Sequence, residues 1–370
     1  MHRQAKGHDG NGKWRGWRTA GLFAILTVRR ERPAPAKPAN GQTRKREIRL
    51  TESLPPIELT PPDIGAYRHG NTGIDHVTTL ESGRPGPHAV IVSLIHGNEI
   101  GGAVAMDRLF RMGIKPSRGR LTLVFANTAA YQSFDAERPY ASRFVDEDMN
   151  RVWSRDVLDG PRDSAELRRA RQLRPVFDAA DVILDLHSMT VDTPPLTLCG
   201  RTDRARALAR RLGYPAWIVS DEGHAAGRRV IDYADFAKPD GAEPDGRRTA
   251  ILVECGQHWR AETALVALES CMRFLLAQEM VDPSLADRHI RPHPDPQRTV
   301  EVTEAVTAET DDFFFDQPYV GMEVIPAAGT VLGRDGARRI VTPYDDCVLI
   351  MPARRPKSGQ TAVRLGRIVS

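Results

Sequence analysis

At 370 residues the chain is long enough for one large domain or two, and 41% hydrophobic with 27% charged residues is the ordinary balance of a globular protein. The formal net charge of +4 is unevenly spread: residues 1–50 hold 13 Lys+Arg against 3 Asp+Glu, or +10, which leaves 39 basic and 45 acidic residues, or −6, for the rest. A mildly acidic body argues against a nucleic-acid-binding surface.

In chain order, residues 1–56 read as a disordered basic extension, rich in Gly, Pro, Arg and Lys and without periodicity. Within it the apolar run Thr19–Val28 is too short to span a bilayer, so no membrane partner is expected. The run has the character of a weak export-signal core, but it leads straight into Arg29-Arg30-Glu31-Arg32. The four cysteines (Cys199, Cys255, Cys271, Cys347) form no C-x-x-C pair, and a chain of this size needs no disulfide staples. A reducing, cytoplasmic setting is the simplest expectation.

The body begins near Ile57. Strands are expected over 88–95, 121–126, 182–186, 195–199, 216–220 and 250–254, and helices over 100–112, 164–180, 203–212 and 261–280. Short apolar runs alternating with amphipathic stretches predict an α/β sandwich around a largely buried sheet. In such sheets, sites form at the carboxyl ends of strands, and His96, Asn127, His187 and Glu254 fall at or just past such ends. Residues 281–297 read as a polar linker. From Arg298 the texture is strand and turn, predicting a small all-β unit. The expected organisation is the extension 1–56, an α/β domain over 57–290 and a β domain over 298–370.

The run His96-Gly97-Asn98-Glu99 follows the apolar segment Ala89–Ile95. A His and a Glu three residues apart at a strand exit can face one metal ion. A catalytic zinc takes three protein ligands, and a third is expected from another strand end. His187, closing the run DVILDLH, is favoured over His224 and His258. Hydrolysis also needs a base, for which Glu254 at the end of Ala250–Val253 is the candidate. Arg143–Arg151 offers an oxyanion stabiliser and a carboxylate clamp, since Arg is the natural bidentate partner of a carboxylate.

Taken together, H-G-N-E at 96–99, R-F-V-D-E-D-M-N-R at 143–151, D-L-H at 185–187 and V-E-C-G at 253–256 resemble the succinylglutamate desuccinylase/aspartoacylase family, a branch of the zinc carboxypeptidase-like hydrolases. The spacings agree too: 88 residues separate Glu99 from His187, and 67 separate His187 from Glu254. The resemblance covers roughly residues 60–370. It implies a mixed-sheet carboxypeptidase-like sandwich with a small C-terminal all-β domain. His96, Glu99 and His187 would hold one Zn2+ per chain, and Glu254 would be general base and then acid. Arg143 would hold the oxyanion, Asn150 and Arg151 would bind the substrate carboxylate, and Asp148 would orient His96. The implied activity is hydrolysis of the amide bond of a small N-acyl amino acid, with ester hydrolysis and a homo-oligomeric state left open. The alternatives are a metallocarboxypeptidase acting on peptides and a non-catalytic zinc-binding module. Tyr140, His258 and Tyr344 are candidates for choosing the acyl group.

Overall fold

A computed structural model of the chain describes residues 54–242, 248–293 and 295–370. The run Thr19–Val28 and the expected extension up to residue 53 lie outside the described residues. The strands of the first half are β1 (Val77–Glu81), β2 (His88–Ser93), β3 (Arg120–Phe125), β4 (Val182–Met189), β5 (Leu196–Gly200), β6 (Trp217–Asp221) and β7 (Thr249–Gln257). Those of the C-terminal part are β8 (Arg298–Thr307), β9 (Phe313–Phe315), β10 (Glu323–Ile325), β11 (Val331–Asp335), β12 (Arg338–Val341), β13 (Cys347–Ile350) and β14 (Thr361–Ile368). The helices are α1 (Ile100–Arg111), α2 (Thr128–Gln132), α3 (Arg155–Asp159), α4 (Ala165–Asp178), α5 (Asp203–Leu212), α6 (Ala261–Ala277) and α7 (Pro283–Asp287).

Eleven strands form one mixed sheet in the order β1-β3-β2-β4-β7-β5-β6-β8-β14-β13-β10, and β12, β11 and β9 form a small antiparallel sheet. The four strands β3, β2, β4 and β7 run parallel, so their carboxyl ends share one edge. Every residue of β2 and of β4 is buried, as expected when helices cover both faces of parallel strands. Alternation along the strands then divides the core in two. Ile91, Leu184 and Ile251 pack with Leu109 of α1, Leu208 of α5 and Phe274 of α6. On the other face Val90, Ile183 and Leu252 pack with Leu173 and Phe177 of α4 and with Trp153 and Tyr233. Local signals agree with this packing. The Thr202 hydroxyl accepts from the Ala205 N–H at the start of α5, and Gly213 closes that helix at φ 68°.

Three features depart from the sequence reading. First, β4 and β7 continue past the expected ends, because they stay paired beyond the site: His187 lies opposite Glu254 and, after a register shift, Met189 opposite Gln257. His187 and Glu254 therefore sit within strands rather than at or just past their ends. Second, residues 281–297 are not a plain linker. They contain α7, and Arg291 and His293 are polar because they neutralise the buried Glu269. Arg291 Nε lies 2.9 Å from Glu269 Oε2, and His293 Nε2 lies 2.7 Å from Glu269 Oε1. Third, β8, β14, β13 and β10 of the C-terminal part join the main sheet through β6, where Trp217–Ser220 pair in parallel with Arg298–Glu301. The edge strand β1, antiparallel to β3, had no clear sequence signal.

The turn after β2 is tightly packed. Leu94 is fully buried at φ 59°, a conformation a branched side chain rarely adopts. Gly97 N–H donates to the Arg143 carbonyl at 3.1 Å, and Trp259 Nε1–H donates to the Asn98 carbonyl at 3.1 Å. A Cβ on Gly97 would lie 2.4 Å from the Ala130 carbonyl carbon and Tyr131 nitrogen, and 2.5 Å from the Ser142 carbonyl oxygen. These are backbone atoms with little room to retreat. Gly97→Ala is expected to lower stability by about 1–3 kcal/mol or more. Gly200→Ala, whose Cβ meets nothing within 4 Å, should stay within about 0.5 kcal/mol of wild type. Chemical denaturation of both variants checks the difference.

Candidate active site

Three strand exits and one loop build the site. β2 delivers His96 and Glu99 through the tight turn, β4 carries His187, and β7 carries Glu254 beside it in register. The loop 143–151 folds over them. Its shape is set by Glu166, at the start of α4, whose carboxylate accepts from the backbone N–H groups of Val145 (2.7 Å), Asp146 (3.0 Å) and Glu147 (3.2 Å) and from Asn127 Nδ2 (2.9 Å). These donors hold the Glu166 carboxyl below its usual value despite the opposing effect of burial. Asn127 is thus a support of this loop and the cap of α2, where its Oδ1 accepts from Ala130 N–H at 3.3 Å.

Glu99 stands between the two histidines. Its Oε1 is 2.7 Å from His96 Nδ1, and its Oε2 is 3.0 Å from His187 Nδ1. All three residues are at most 4% exposed, so these groups meet out of water. Each imidazole is backed by a carboxylate at its far nitrogen: Asp148 Oδ1 lies 2.9 Å from His96 Nε2, and Asp185 Oδ2 lies 3.0 Å from His187 Nε2. In the tautomer that carries a proton on each Nε2, facing its carboxylate, each Nδ1 lone pair is directed at the common gap. Two lone pairs and a carboxylate then converge where only positive charge can hold them.

The electrostatics express the same demand. Burial alone would raise the Glu99 carboxyl, yet His96 and then His187 pull it well below the carboxylate range. Burial opposes charge on His187, but Asp185 and then Glu99 push its pKa well above the ordinary imidazole value. Asp148 is likewise held low, against burial, by His96, Arg143 and Arg151. Without a metal, protons supply the missing charge; a divalent cation displaces them and satisfies the same donors. One atom from each of His96, Glu99 and His187 fits within a 4.8 Å span, a donor set suited to a divalent cation.

Beside this cluster stands Glu254. Its Oε2 is sealed from solvent and has no hydrogen-bond partner. Burial, reinforced by Glu99 and opposed by His187, pushes its carboxyl up to about 8. Across the gap Arg143 is 35% exposed, with Nη1 3.3 Å from Glu99 Oε1 and Nη2 3.3 Å from Asp148 Oδ2. Asn150 uses its Oδ1 to accept from Val230 N–H at 3.0 Å, and its Nδ2 lies 3.5 Å from His187 Nε2. Arg151 donates to the Asn150 carbonyl at 2.7 Å and lies 3.8 Å from Asp148. Of the candidate metal ligands, base, oxyanion holder and carboxylate clamp named from the sequence, all line one cavity of about 270 Å3, and Asp148 stands behind His96.

The rival histidines occupy other places. His258 lines the cavity but is held between Ser188 Oγ (2.8 Å) and Thr190 Oγ1 (3.3 Å). His224 lines the far wall, and neither joins the three-residue cluster found among the described residues. Of the proposed acyl selectors, Tyr140 packs on Trp259 at 4.9 Å between ring centroids, and Tyr344 bonds Thr303 at 2.5 Å. Neither lines the cavity.

Four contributors escaped sequence reading. Asp185 had a signal: two residues before His187 on a strand, it faces the same side. Glu166 looks like an ordinary helix-start acid. Arg229, held by Asp221 (2.6 Å) and Asp232 (2.7 Å), supports the backbone that binds Asn150 and lies in an irregular loop without a motif. Arg364 is one basic residue among many.

Fold and cluster together define a mixed-sheet α/β protein with a buried His-Glu-His cluster, able to hold a cation, at the carboxyl ends of its central strands. Residues 85–261 match the family model described as the succinylglutamate desuccinylase/aspartoacylase catalytic domain. The chain belongs to that family. It is 30% identical over 199 residues to a probable aspartoacylase of Parasynechococcus marenigrum, covering 51% of this chain and 61% of that protein. It is 33% identical over 108 residues to N-acyl-aromatic-L-amino acid amidohydrolase (carboxylate-forming) B of Danio rerio, covering 26% of this chain and 32% of that one. The chain thus spans less than two thirds of either curated relative. Its fold is shared with a succinylglutamate desuccinylase structure from Vibrio parahaemolyticus, at a TM-score of 0.60 and 18% identity over 80% of this chain and 87% of that one. Among the described residues no helix is long and apolar enough to cross a membrane.

Equilibrium dialysis with Zn2+ tests the cluster. Wild type is expected to retain about one equivalent. His96→Ala and His187→Ala should lose it, and His224→Ala and His258→Ala should keep it. Asp185→Asn should weaken retention ~10–100-fold by removing the partner that orients His187.

Proposed function

We propose that the chain is a zinc-dependent hydrolase that cleaves the amide bond of a small N-acyl amino acid. His96, Glu99 and His187 hold one Zn2+, with Asp148 and Asp185 fixing the two imidazoles. When bound, the ion supplies Lewis acidity and makes water acidic enough to be deprotonated near neutral pH. Glu254 takes the proton of the attacking water on its partnerless Oε2 and returns it to the departing amine. Arg143 holds the oxyanion that develops on the scissile carbonyl. Asn150 and Arg151 grip the substrate carboxylate, and the Arg fork suits that planar group.

The observation that carries this reading is Glu254 Oε2, sealed from solvent and without a hydrogen-bond partner beside the His-Glu-His cluster. An unpaired buried carboxylate is costly, and a structural role would have given it donors. The small cavity, walled by Met351, Pro352 and Ala353 from the loop after β13, favours a small molecule over an extended peptide. A panel of N-acyl amino acids assayed beside short peptides separates these readings, and turnover of peptides alone would install the carboxypeptidase in its place.

Glu254→Gln is expected to keep its metal and lose ~10²–10⁴ in kcat. The base works only when unprotonated, so kcat/KM should rise with pH through the Glu254 pKa. Burial raises that pKa, and a bound cation draws it back down. The variant should lack this acidic limb. Retained metal with unchanged kcat would remove Glu254 from the mechanism.

A further inference from the structure

The loop from Arg143 to Arg151 is held in two halves by two different parts of the fold. The second half docks on the segment 228–230. Val152 bridges Arg228, Trp153 N–H donates to the Arg228 carbonyl at 3.2 Å, and Asn150 Oδ1 accepts from Val230 N–H at 3.0 Å. The first half has no such support. Phe144 and Val145 are 39% and 50% exposed, so apolar packing holds them weakly. Among the described residues, no backbone–backbone hydrogen bond involves residues 144–147.

What holds the first half is Glu166. This fully buried carboxylate takes the N–H group of Val145 at Oε1 and those of Asp146 and Glu147 at Oε2. A carboxylate suits such a row of amides because it only accepts, and it draws all three to one point. The loop answers in kind. Asp146 Oδ2 accepts from Ala165 N–H at 2.7 Å, and Glu147 Oε1 accepts from Ser164 Oγ at 2.6 Å, both at the start of α4. Arg143 lies two residues before this interlock, and its own carbonyl is tied to Gly97 N–H. Its guanidinium reaches Glu99 and Asp148 at 3.3 Å each, the long end of hydrogen bonding, so small backbone shifts break those contacts. Where Arg143 points thus depends on where Glu166 holds the loop.

We propose that Glu166 is a positioning residue for the reaction: through the amides of Val145, Asp146 and Glu147 it sets Arg143 where the oxyanion forms, while the Asn150–Arg151 clamp keeps its place through Val230. The inference rests on the hydrolase reading above and adds a residue that touches neither substrate nor metal. A misplacement of about 1 Å at a reacting contact costs ~10²-fold in rate, so the effect belongs in turnover rather than in substrate grip. Glu166→Gln is the sharp substitution. It keeps the shape of the side chain but offers the donors of Val145, Asp146, Glu147 and Asn127 one oxygen in place of two. Its new N–H groups would face amides that can only donate.

The test is a double-mutant cycle on zinc-loaded protein, with the N-acyl amino acid that wild type hydrolyses best. Glu166→Gln should retain its zinc, lose ~10–100-fold in kcat and change KM by less than about threefold. In an Arg143→Lys background the same substitution should cost less than about threefold in kcat, because its target is already gone. In an Arg151→Lys background the full loss should persist. A merely structural role lowers the competent fraction and costs the same factor in both backgrounds, which would overturn the proposal. So would an unchanged kcat, or a loss carried by KM. If Glu166→Gln does not fold, Asp146→Ala, at the exposed side of the interlock, takes its place in the cycle. A kcat loss that vanishes with Arg143→Lys then supports the proposal, and no loss, or one that persists, refutes it. If wild type hydrolyses no N-acyl amino acid, the hydrolase reading fails by itself. Crystal structures of wild type and Glu166→Gln then decide the positioning: Arg143 displaced with Asn150 in place supports it, and an unmoved Arg143 refutes it.

Discussion

Glu99 holds the site together by doing something electrostatically awkward. Its two oxygens bridge His96 and His187 in a region closed to water, while Asp148 and Asp185 press on the far side of the same imidazoles. Three carboxylates around two rings cannot be stable there without compensating positive charge. Protons can supply it, but at the cost of both Nδ1 lone pairs. A divalent cation supplies it while using them, so metal affinity and the charge balance of the core become one property. Glu254 falls outside this arrangement. It is desolvated but not bridged, which leaves its oxygen available to a reacting water.

The sheet makes this crowding achievable. Three parallel neighbours, β2, β4 and β7, end at one edge, and their register sets His187 beside Glu254. The turn after β2 is stapled from two directions, by the Arg143 carbonyl and by the indole of Trp259. The loop bearing Arg143, Asn150 and Arg151 is stapled in turn by Glu166. Precision in the reactive groups therefore rests on rigid strands and on backbone hydrogen bonds, the supports that best hold a site within a fraction of an ångström. The C-terminal strands extend the same sheet, so the wall carrying Arg364 is continuous in hydrogen bonding with the floor carrying Glu254.

Much of this was legible in the chain because the relevant signals are local. Apolar runs marked β2, β3, β4 and β7, and the spacing within His96–Glu99 placed two donors at one strand exit. Asp148 could be paired with His96 because it lies in a motif with recognisable neighbours. The unread parts depend on distant partners. Glu166 matters for the amides of a loop some twenty residues earlier. The polar segment 281–297 resembled a linker only because its target, Glu269, is buried in α6. Arg364 alternates along β14 like any residue of an interior strand, and its place on the cavity wall is visible only once the cavity is assembled.

The most direct test is the anomalous scattering of a zinc-soaked crystal. The account predicts one strong peak at ~2.0–2.1 Å from Nδ1 of both His96 and His187 and ~2.0–2.2 Å from a Glu99 oxygen. Both Nε2 atoms should remain on Asp148 and Asp185. A peak seated instead on His224 or His258, or an empty gap at saturating zinc, would contradict it.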